Sequence, residues 1–168
     1  VERELDSEMI LITDGAKPIG IAGVMGGFNT EIDGSTKNIV IESAIFEADN
    51  IRLTSRRLGL RSEASSKFEK GIDLLRPQMA LDRACQLIEQ LGYGKVCVGL
   101  VDTMDTEFAP EKLQTSISKI NAIMGTSLSA AEITNILESL LFECKLEDDK
   151  LVVTVPHFRL DMAIEEDI

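Results

Sequence analysis

The chain has 168 residues, of which 44% are hydrophobic and 27% are charged, and its formal net charge is −12. This composition is typical of a globular protein with a sizeable core. No run of about 18 apolar residues occurs, which excludes a membrane-spanning helix. The negative charge argues against a general nucleic-acid-binding protein, although it does not exclude a local contact with RNA. Three cysteines without metal-binding spacing indicate reduced thiols in the cytosol.

The first elements along the chain are strand-like. Met9–Thr13 and Pro18–Val24 flank an Asp-Gly turn and predict a hairpin. A G-x-x-G-G cluster follows, with Gly23 and Gly26 in its first two glycine positions. It lacks the spacing and the helix signal of a dinucleotide-binding loop, so it indicates either a tight turn or a place where a ligand approaches the backbone. Asn38–Ala44 then predicts a buried strand.

Glu42 lies inside the apolar run of that last strand. Burying a carboxylate is costly unless another group pairs with it. Glu42 therefore either occupies the solvated face of an alternating strand, or pairs with an arginine, or lines a pocket. In a pocket it would accept a hydrogen bond from a polar ligand.

Helices dominate the next part of the chain. Asp49 or Asn50 is expected to cap a helix that runs to about Leu58, where Gly59 ends it. Ser62 is the expected N-cap of a short helix that runs to Lys70. Residues 76–91 predict a long helix with one apolar face, and residues 96–101 predict a strand.

Positive charge concentrates in this helical region, at Arg52, Arg56, Arg57, Arg61, Lys67 and Lys70. One interpretation is a solvated helix face with ion pairs to Glu63 and Glu69. The other is a local contact with RNA.

Residues 102–112 carry charge and no apolar period, which predicts a domain boundary. The following pattern predicts a small α+β module. A strand at 113–117, a helix at 118–124, a capped helix after Ser129 and a hairpin at 142–155 succeed one another. An acidic run then ends the sequence, and a solvated surface is its simplest interpretation.

No hydrolytic nucleophile–base pair is evident. The chain has a single histidine, His157, which follows Pro156 and is expected to pack in a loop. Neither an H-E-x-x-H motif nor a cysteine–histidine cluster occurs.

Two blocks of sequence carry a resemblance to a known family. The first reads GVMGG, STKNIVIESAIF and RRLGLRSEASSKFEKGID in order, and the second reads PHFRLDM followed by IEED. They resemble the B3/B4 region and the end of the B5 domain in the β subunit of bacterial phenylalanyl-tRNA synthetase. The resemblance implies an α+β fold, with a mixed-sheet B3/B4-like domain at 1–104 and a winged-helix-like B5 module at 111–168. The first residue is not Met and the acidic motif is incomplete, so we expect a fragment of a longer chain.

The resemblance also implies an activity, the hydrolysis of tRNA charged in error with tyrosine. Glu42 would read the tyrosine hydroxyl, Gly23 and Gly26 would let the ring approach the backbone, and Ser62 and Ala64 would line the wall. The family often has Thr in place of Ser62. Its site also uses upstream residues, including a histidine, so we expect the isolated chain to be inactive.

The resemblance further implies cofactors and partners. Asp161 and Asp167 would help to bind Mg²⁺, together with two glutamates beyond Ile168, so we expect no ordered metal on this chain alone. The whole enzyme would be a cytoplasmic, ATP-dependent (αβ)₂ ligase that binds tRNA(Phe). Two alternatives stay open: a stand-alone aminoacyl-tRNA deacylase and a non-enzymatic RNA-binding or assembly module.

Overall fold

The structure is a computed structural model that describes residues 2–104 and 107–168. The chain divides into two compact units, Val1–Gly99 and Leu100–Ile168. Each unit combines helices with a three-stranded sheet, which confirms the predicted α+β class. The finer domain bounds, 1–104 and 111–168, stay a prediction. Within the described residues, no helix is both long and apolar enough to cross a membrane.

The first unit begins with strands and continues with helices. A 3-10 turn, Phe28–Thr30, separates the two groups. The elements are β1 (Leu11–Thr13), β2 (Pro18–Ile21), β3 (Met25–Gly26), α1 (Ala48–Leu58), α2 (Glu63–Phe68) and α3 (Arg76–Gln90).

The sheet of the first unit is antiparallel, with strand order β1-β2-β3. The predicted hairpin forms around Asp14, whose Oδ1 accepts backbone N–H bonds from Ala16 and Lys17, both at 2.9 Å. The expected mixed sheet is not found among the described residues. The segments at 38–44 and 96–101, predicted as strands, are irregular, because within the described chain neither has a neighbouring strand to pair with.

The helix ends follow the local sequence closely. Gly59 ends α1 in the left-handed conformation, with φ 60°, as the sequence predicts. Glu47 caps the start of α1 by accepting the N–H groups of Asp49 and Asn50, so the expectation of an Asp49 or Asn50 cap was wrong. Ser62 caps α2 as predicted.

Helix α3 begins at a buried carboxylate. Asp73 accepts N–H bonds from Leu75 and Arg76 at 3.2 and 3.1 Å, and the Nε atom of Arg76 also bonds to it. The helix itself has no fully buried residue, and several of its apolar side chains are exposed. The core of the first unit is therefore small and lies around Ile51, which is fully buried.

The second unit is a compact arrangement of two helices and a sheet. Its sheet has the order β4-β6-β5 and is antiparallel throughout. A short 3-10 turn, Glu165–Asp167, lies near the end of the chain. The elements are β4 (Lys112–Ser116), α4 (Ile117–Met124), α5 (Ala130–Ser139), β5 (Glu143–Glu147) and β6 (Lys150–Thr154).

The core of the second unit lies between α5 and the central strand β6. Leu151 and Val153 of β6 are fully buried and pack with Ile133 and Leu137 of α5. The predicted capping box forms at the start of α5, where Ser129 and Glu132 satisfy each other's free backbone N–H groups.

Leu151 and Leu146 offer a matched test of this core. They are cross-strand partners, but Leu151 on the central strand is 0% exposed and Leu146 on the edge strand is 43% exposed. We expect Leu151→Ala to lower the free energy of unfolding by about 2–5 kcal/mol, because it leaves a cavity, and Leu146→Ala to lower it by far less. Urea titration of both variants measures this difference. Equal losses would contradict the assignment of the core.

Candidate functional site

Gly23 is held between two apolar side chains of the first unit. Its φ of 64° is in the left-handed region, and a Cβ atom there would lie 3.0 Å from Cδ2 of Phe46 and 3.1 Å from Cδ1 of Ile51. Glycine is therefore required at this position by conformation and by packing together. The contact joins the glycine loop to the segment that contains Glu42.

Gly26 has a different environment. It is exposed, and a Cβ atom added to it would meet no other described atom within 4 Å. It pairs with Gly20 across β2 and β3. The open space leaves room for a ligand beside this part of the glycine loop.

Ser62 ties the start of α2 to the same loop. Its Oγ donates a hydrogen bond to the carbonyl oxygen of Val24 at 2.7 Å and accepts one from the N–H of Ser65 at 3.0 Å. Ser65 is almost fully buried, and its hydroxyl accepts the N–H of Ser62 in return. The hydroxyl of Ser62 is thus committed to structural bonds, while Ala64, two residues along the helix, is exposed.

Glu42 is exposed and lies in an irregular segment, whose neighbouring residues are half-buried, instead of the buried strand that the sequence predicts. Within the described part of the chain, its carboxylate makes no hydrogen bond or ion pair, so the arginine-paired alternative is wrong for this structure. Ser43 next to it donates a hydrogen bond to the carbonyl oxygen of Pro77 at 2.8 Å. That bond anchors the segment and leaves the carboxylate available to a ligand.

Three segments of the first unit therefore converge. Gly23 packs on Phe46, Val24 is bonded to Ser62, and the ring of Phe46 lies 5.1 Å from the ring of Phe68 at the end of α2. These contacts link the glycine loop, the segment that contains Glu42 and the helix α2. They do not include the carboxylate of Glu42 itself, which forms no hydrogen bond to the other two segments as far as the chain is described. Sequence reasoning missed Phe46 and Ser65, whose roles depend on tertiary contacts.

The predicted metal residues lie in the second unit, and both carboxylates already have partners. Arg159 donates two hydrogen bonds to Asp161, at 2.8 and 2.9 Å, which holds the pKa of Asp161 below its usual value. Asp167 accepts the backbone N–H groups of Ala163 and Ile164, which lowers its pKa. The nearby charge of Asp161 opposes part of that decrease.

These residues do not by themselves fit a magnesium site. Mg²⁺ requires several oxygen ligands in near-octahedral geometry. Across residues 2–104 and 107–168, no group of three or more potential metal-binding side chains comes together. The two hydrogen bonds from Arg159 already occupy one acceptor site on each oxygen of Asp161. A magnesium ion held by Asp161 and Asp167 would therefore need further ligands from outside the described chain.

Lys119 fixes the acidic end of the second unit. Its Nζ lies 2.6 Å from a carboxylate oxygen of Glu165 and 3.1 Å from one of Glu166. These bonds raise the pKa of Lys119 and lower the pKa of Glu165. The acidic run is thus an ordered network around one lysine and one arginine, not only a solvated tail.

Comparison with known proteins identifies the family. Residues 1–93 match the B3/4 domain model and residues 113–168 match the tRNA synthetase B5 domain model. The chain belongs to the B3/4 domain family and carries a B5 domain after it.

Several relatives are similar to the chain along almost its whole length. The phenylalanine–tRNA ligase β subunits of Latilactobacillus sakei, Clostridium tetani and Staphylococcus saprophyticus are 44%, 39% and 46% identical to the chain. The similarity covers 99%, 100% and 99% of this chain, and 21% of each relative. The resemblance inferred from the sequence is confirmed, and the chain spans about a fifth of the length of these relatives.

Gly23 and Gly26 form a matched pair for a test of packing. We expect Gly23→Ala to destabilise the first unit by about 1–3 kcal/mol. The alanine would have to adopt an unfavourable left-handed φ, and its methyl group would lie too close to Phe46. Gly26→Ala has neither problem and should leave the melting temperature close to that of the wild type. Thermal unfolding of the two variants decides the point, and a stable Gly23→Ala protein would contradict the contact between Gly23 and Phe46.

The acidic network predicts a pH dependence for the second unit. Asp161 and Asp167 have folded-state pKa values below the ordinary value of 3.8, and the pKa of Glu165 lies below 4.5. Their stabilising contribution is complete above those ordinary values and is lost as the pH falls through the lower folded values. We expect the free energy of unfolding to fall less between about pH 6 and pH 3 in Asp167→Asn than in the wild type, as measured by urea titration at the two pH values. Glu143→Gln, whose carboxylate accepts no hydrogen bond from the described residues, is the control.

Proposed function

We propose that the first unit supplies part of an editing site that hydrolyses tRNA mischarged with tyrosine, within a phenylalanine–tRNA ligase. The observation that carries the proposal is the convergence of the glycine loop, the Glu42 segment and α2, with the carboxylate of Glu42 exposed and unpaired in the described chain. The relatives' names support the ligase context.

The chemistry of discrimination favours a carboxylate reader. An apolar pocket rejects a substrate with one added hydroxyl by only about 10²-fold, so a second site must recognise the hydroxyl itself. The carboxylate of Glu42 would accept a charge-assisted hydrogen bond from the phenol of tyrosine. Phenylalanine has no such donor and would leave the carboxylate without that bond.

The remaining residues would shape the pocket around the ring. Gly26 would let the substrate approach the backbone, because no described side chain fills the space beside it. Gly23 would act indirectly, since Phe46 of the protein itself occupies its open face. Ser62 would act as a positioning residue, which holds α2 and the exposed methyl group of Ala64 beside the loop. The hydrolytic water would be positioned by residues outside this chain and by the bound tRNA.

The second unit has a separate proposed role, which concerns the assembly of the whole enzyme. We infer that the B5 unit contributes to the contact with the catalytic α subunit of an (αβ)₂ ligase in the cytoplasm, where ATP and Mg²⁺ serve the charging reaction. An RNA-binding role for this unit is less favourable, because residues 100–168 carry 14 acidic and five basic side chains. A stand-alone deacylase would have no need of such a unit.

Glu42→Ala and Glu42→Gln in the intact ligase test the editing proposal. Loss of a hydrogen bond to a charged group costs about 1.5–3 kcal/mol, so we expect Glu42→Ala to slow hydrolysis of preformed Tyr-tRNA roughly 10- to 150-fold. Glu42→Gln should cost less, because an amide oxygen still accepts a bond from the phenol. The isolated 168-residue chain should hydrolyse Tyr-tRNA poorly.

Phenylalanine charging and melting temperature are the controls for this experiment. Both should stay at wild-type values in both variants, since Glu42 is exposed and makes no bond within the described chain. A wild-type rate of Tyr-tRNA hydrolysis in Glu42→Ala would refute the assignment of Glu42. An equal loss of charging and hydrolysis would indicate a structural role instead.

A further inference from the structure

A groove of about 470 Å³ is lined by residues of α1, of the turn between α1 and α2, and of the segment that directly follows α2. We call it the basic groove. Its charged lining consists of four cationic side chains and one carboxylate, which are Arg52, Arg56, Arg61, Lys70 and Glu69. Such an excess of positive charge is unexpected in a chain whose net charge is −12.

Two of these cations have no counterion among the described residues. Arg52 bonds to Asp49 at 2.7 Å, and Arg61 lies 3.3 Å from Glu69. The side chains of Arg56 and Lys70 are exposed and form no ion pair or hydrogen bond with any described residue. The groove therefore presents charge that the described chain itself does not neutralise.

A structural explanation covers only part of this charge. Arg56 lies in the last turn of α1, where a cation interacts favourably with the helix dipole. Arg57 in the same turn does so as well, but it is bonded to Asp6. Lys70 follows the C-terminal end of α2, where a cation is likewise favourable, whereas Arg61 precedes the N-terminus of α2, where the helix dipole disfavours a cation.

We propose that the basic groove binds the phosphate backbone of the tRNA strand that enters the editing site. Arginine side chains present a planar fork that matches phosphate oxygens. Among the described residues, no aromatic side chain lines the groove, so it offers no platform for stacking a base. The contact should therefore be independent of sequence. Its volume is within the range of about 300–1,000 Å³ that small-ligand sites have, which suits one or two nucleotide units.

The position of the groove supports this occupant. Arg61 directly precedes Ser62, the residue that caps α2 and bonds to the glycine loop. A strand held in the groove would thus pass the start of the helix that carries Ala64. The inference rests on the proposed editing function, which supplies the RNA partner.

The test removes the two unpaired charges. In the intact ligase, the double variant Arg56→Gln/Lys70→Gln is compared with Lys17→Gln/Lys95→Gln, a control that loses the same charge at exposed positions outside the groove. Equilibrium binding of uncharged tRNA(Phe) is measured over a series of salt concentrations. Each single-strand phosphate contact contributes about 0.7 to the slope of log K against log salt, so the groove variant should lose about 1.4. That slope corresponds to a roughly 25-fold weaker affinity at about 0.1 M salt, taking about 1 M as the reference.

The outcomes separate this proposal from the editing assignment. If the groove variant keeps the wild-type slope and affinity, the proposal that the basic groove binds tRNA is overturned, even if Glu42→Ala loses Tyr-tRNA hydrolysis. Weak tRNA binding in the groove variant would support it, even if Glu42→Ala hydrolyses normally. Inorganic phosphate is the second probe, by calorimetry. Phosphate binding that the groove variant loses while its tRNA binding stays at the wild-type level would assign the groove to free anions and overturn the proposal.

Discussion

The close approach of Gly23 to Phe46 and Ile51 is the contact on which the first unit depends. A left-handed residue without a side chain lets the glycine loop lie directly on the ring of Phe46 and on Ile51, a fully buried residue of α1. Phe46 in turn packs against Phe68 at the end of α2. Because Gly23 has no side chain, these contacts can connect the glycine loop to α1 and α2.

The same contacts explain why the candidate site can exist on so small a core. Glu42 is four residues before Phe46, so the ring that packs on Gly23 also fixes the segment that bears the carboxylate. Ser62 provides a second tie, through the carbonyl oxygen of Val24. Residues that do not touch a ligand therefore determine where the exposed groups lie, which is how rigid scaffolds present functional loops.

Features that depend on neighbouring residues in the sequence were predictable, whereas features that depend on contacts between distant residues were not. Gly59 ends α1, and Ser62 and Ser129 cap their helices, because capping needs only neighbouring residues. The segments at 38–44 and 96–101 have strand composition, but a strand also requires a partner that composition does not supply. For the same reason the exposure of Glu42 could not be predicted. The sequence indicated the residues of the candidate site but not the role of Phe46 in joining them.

The strand order of the second unit has a consequence for the way this unit folds. Central strand β6 pairs with β5 through a tight hairpin, in which Glu147 and Lys150 are partners. Its pairing with β4, in which Lys112 and Thr154 are partners, closes a much longer loop that contains both helices and β5. Closing a longer loop costs more entropy, so the hairpin should form early and β4 should join it late. The second unit of this chain would thus add β4 to its sheet last, and a nascent chain would keep β4 unpaired until β6 has been synthesised.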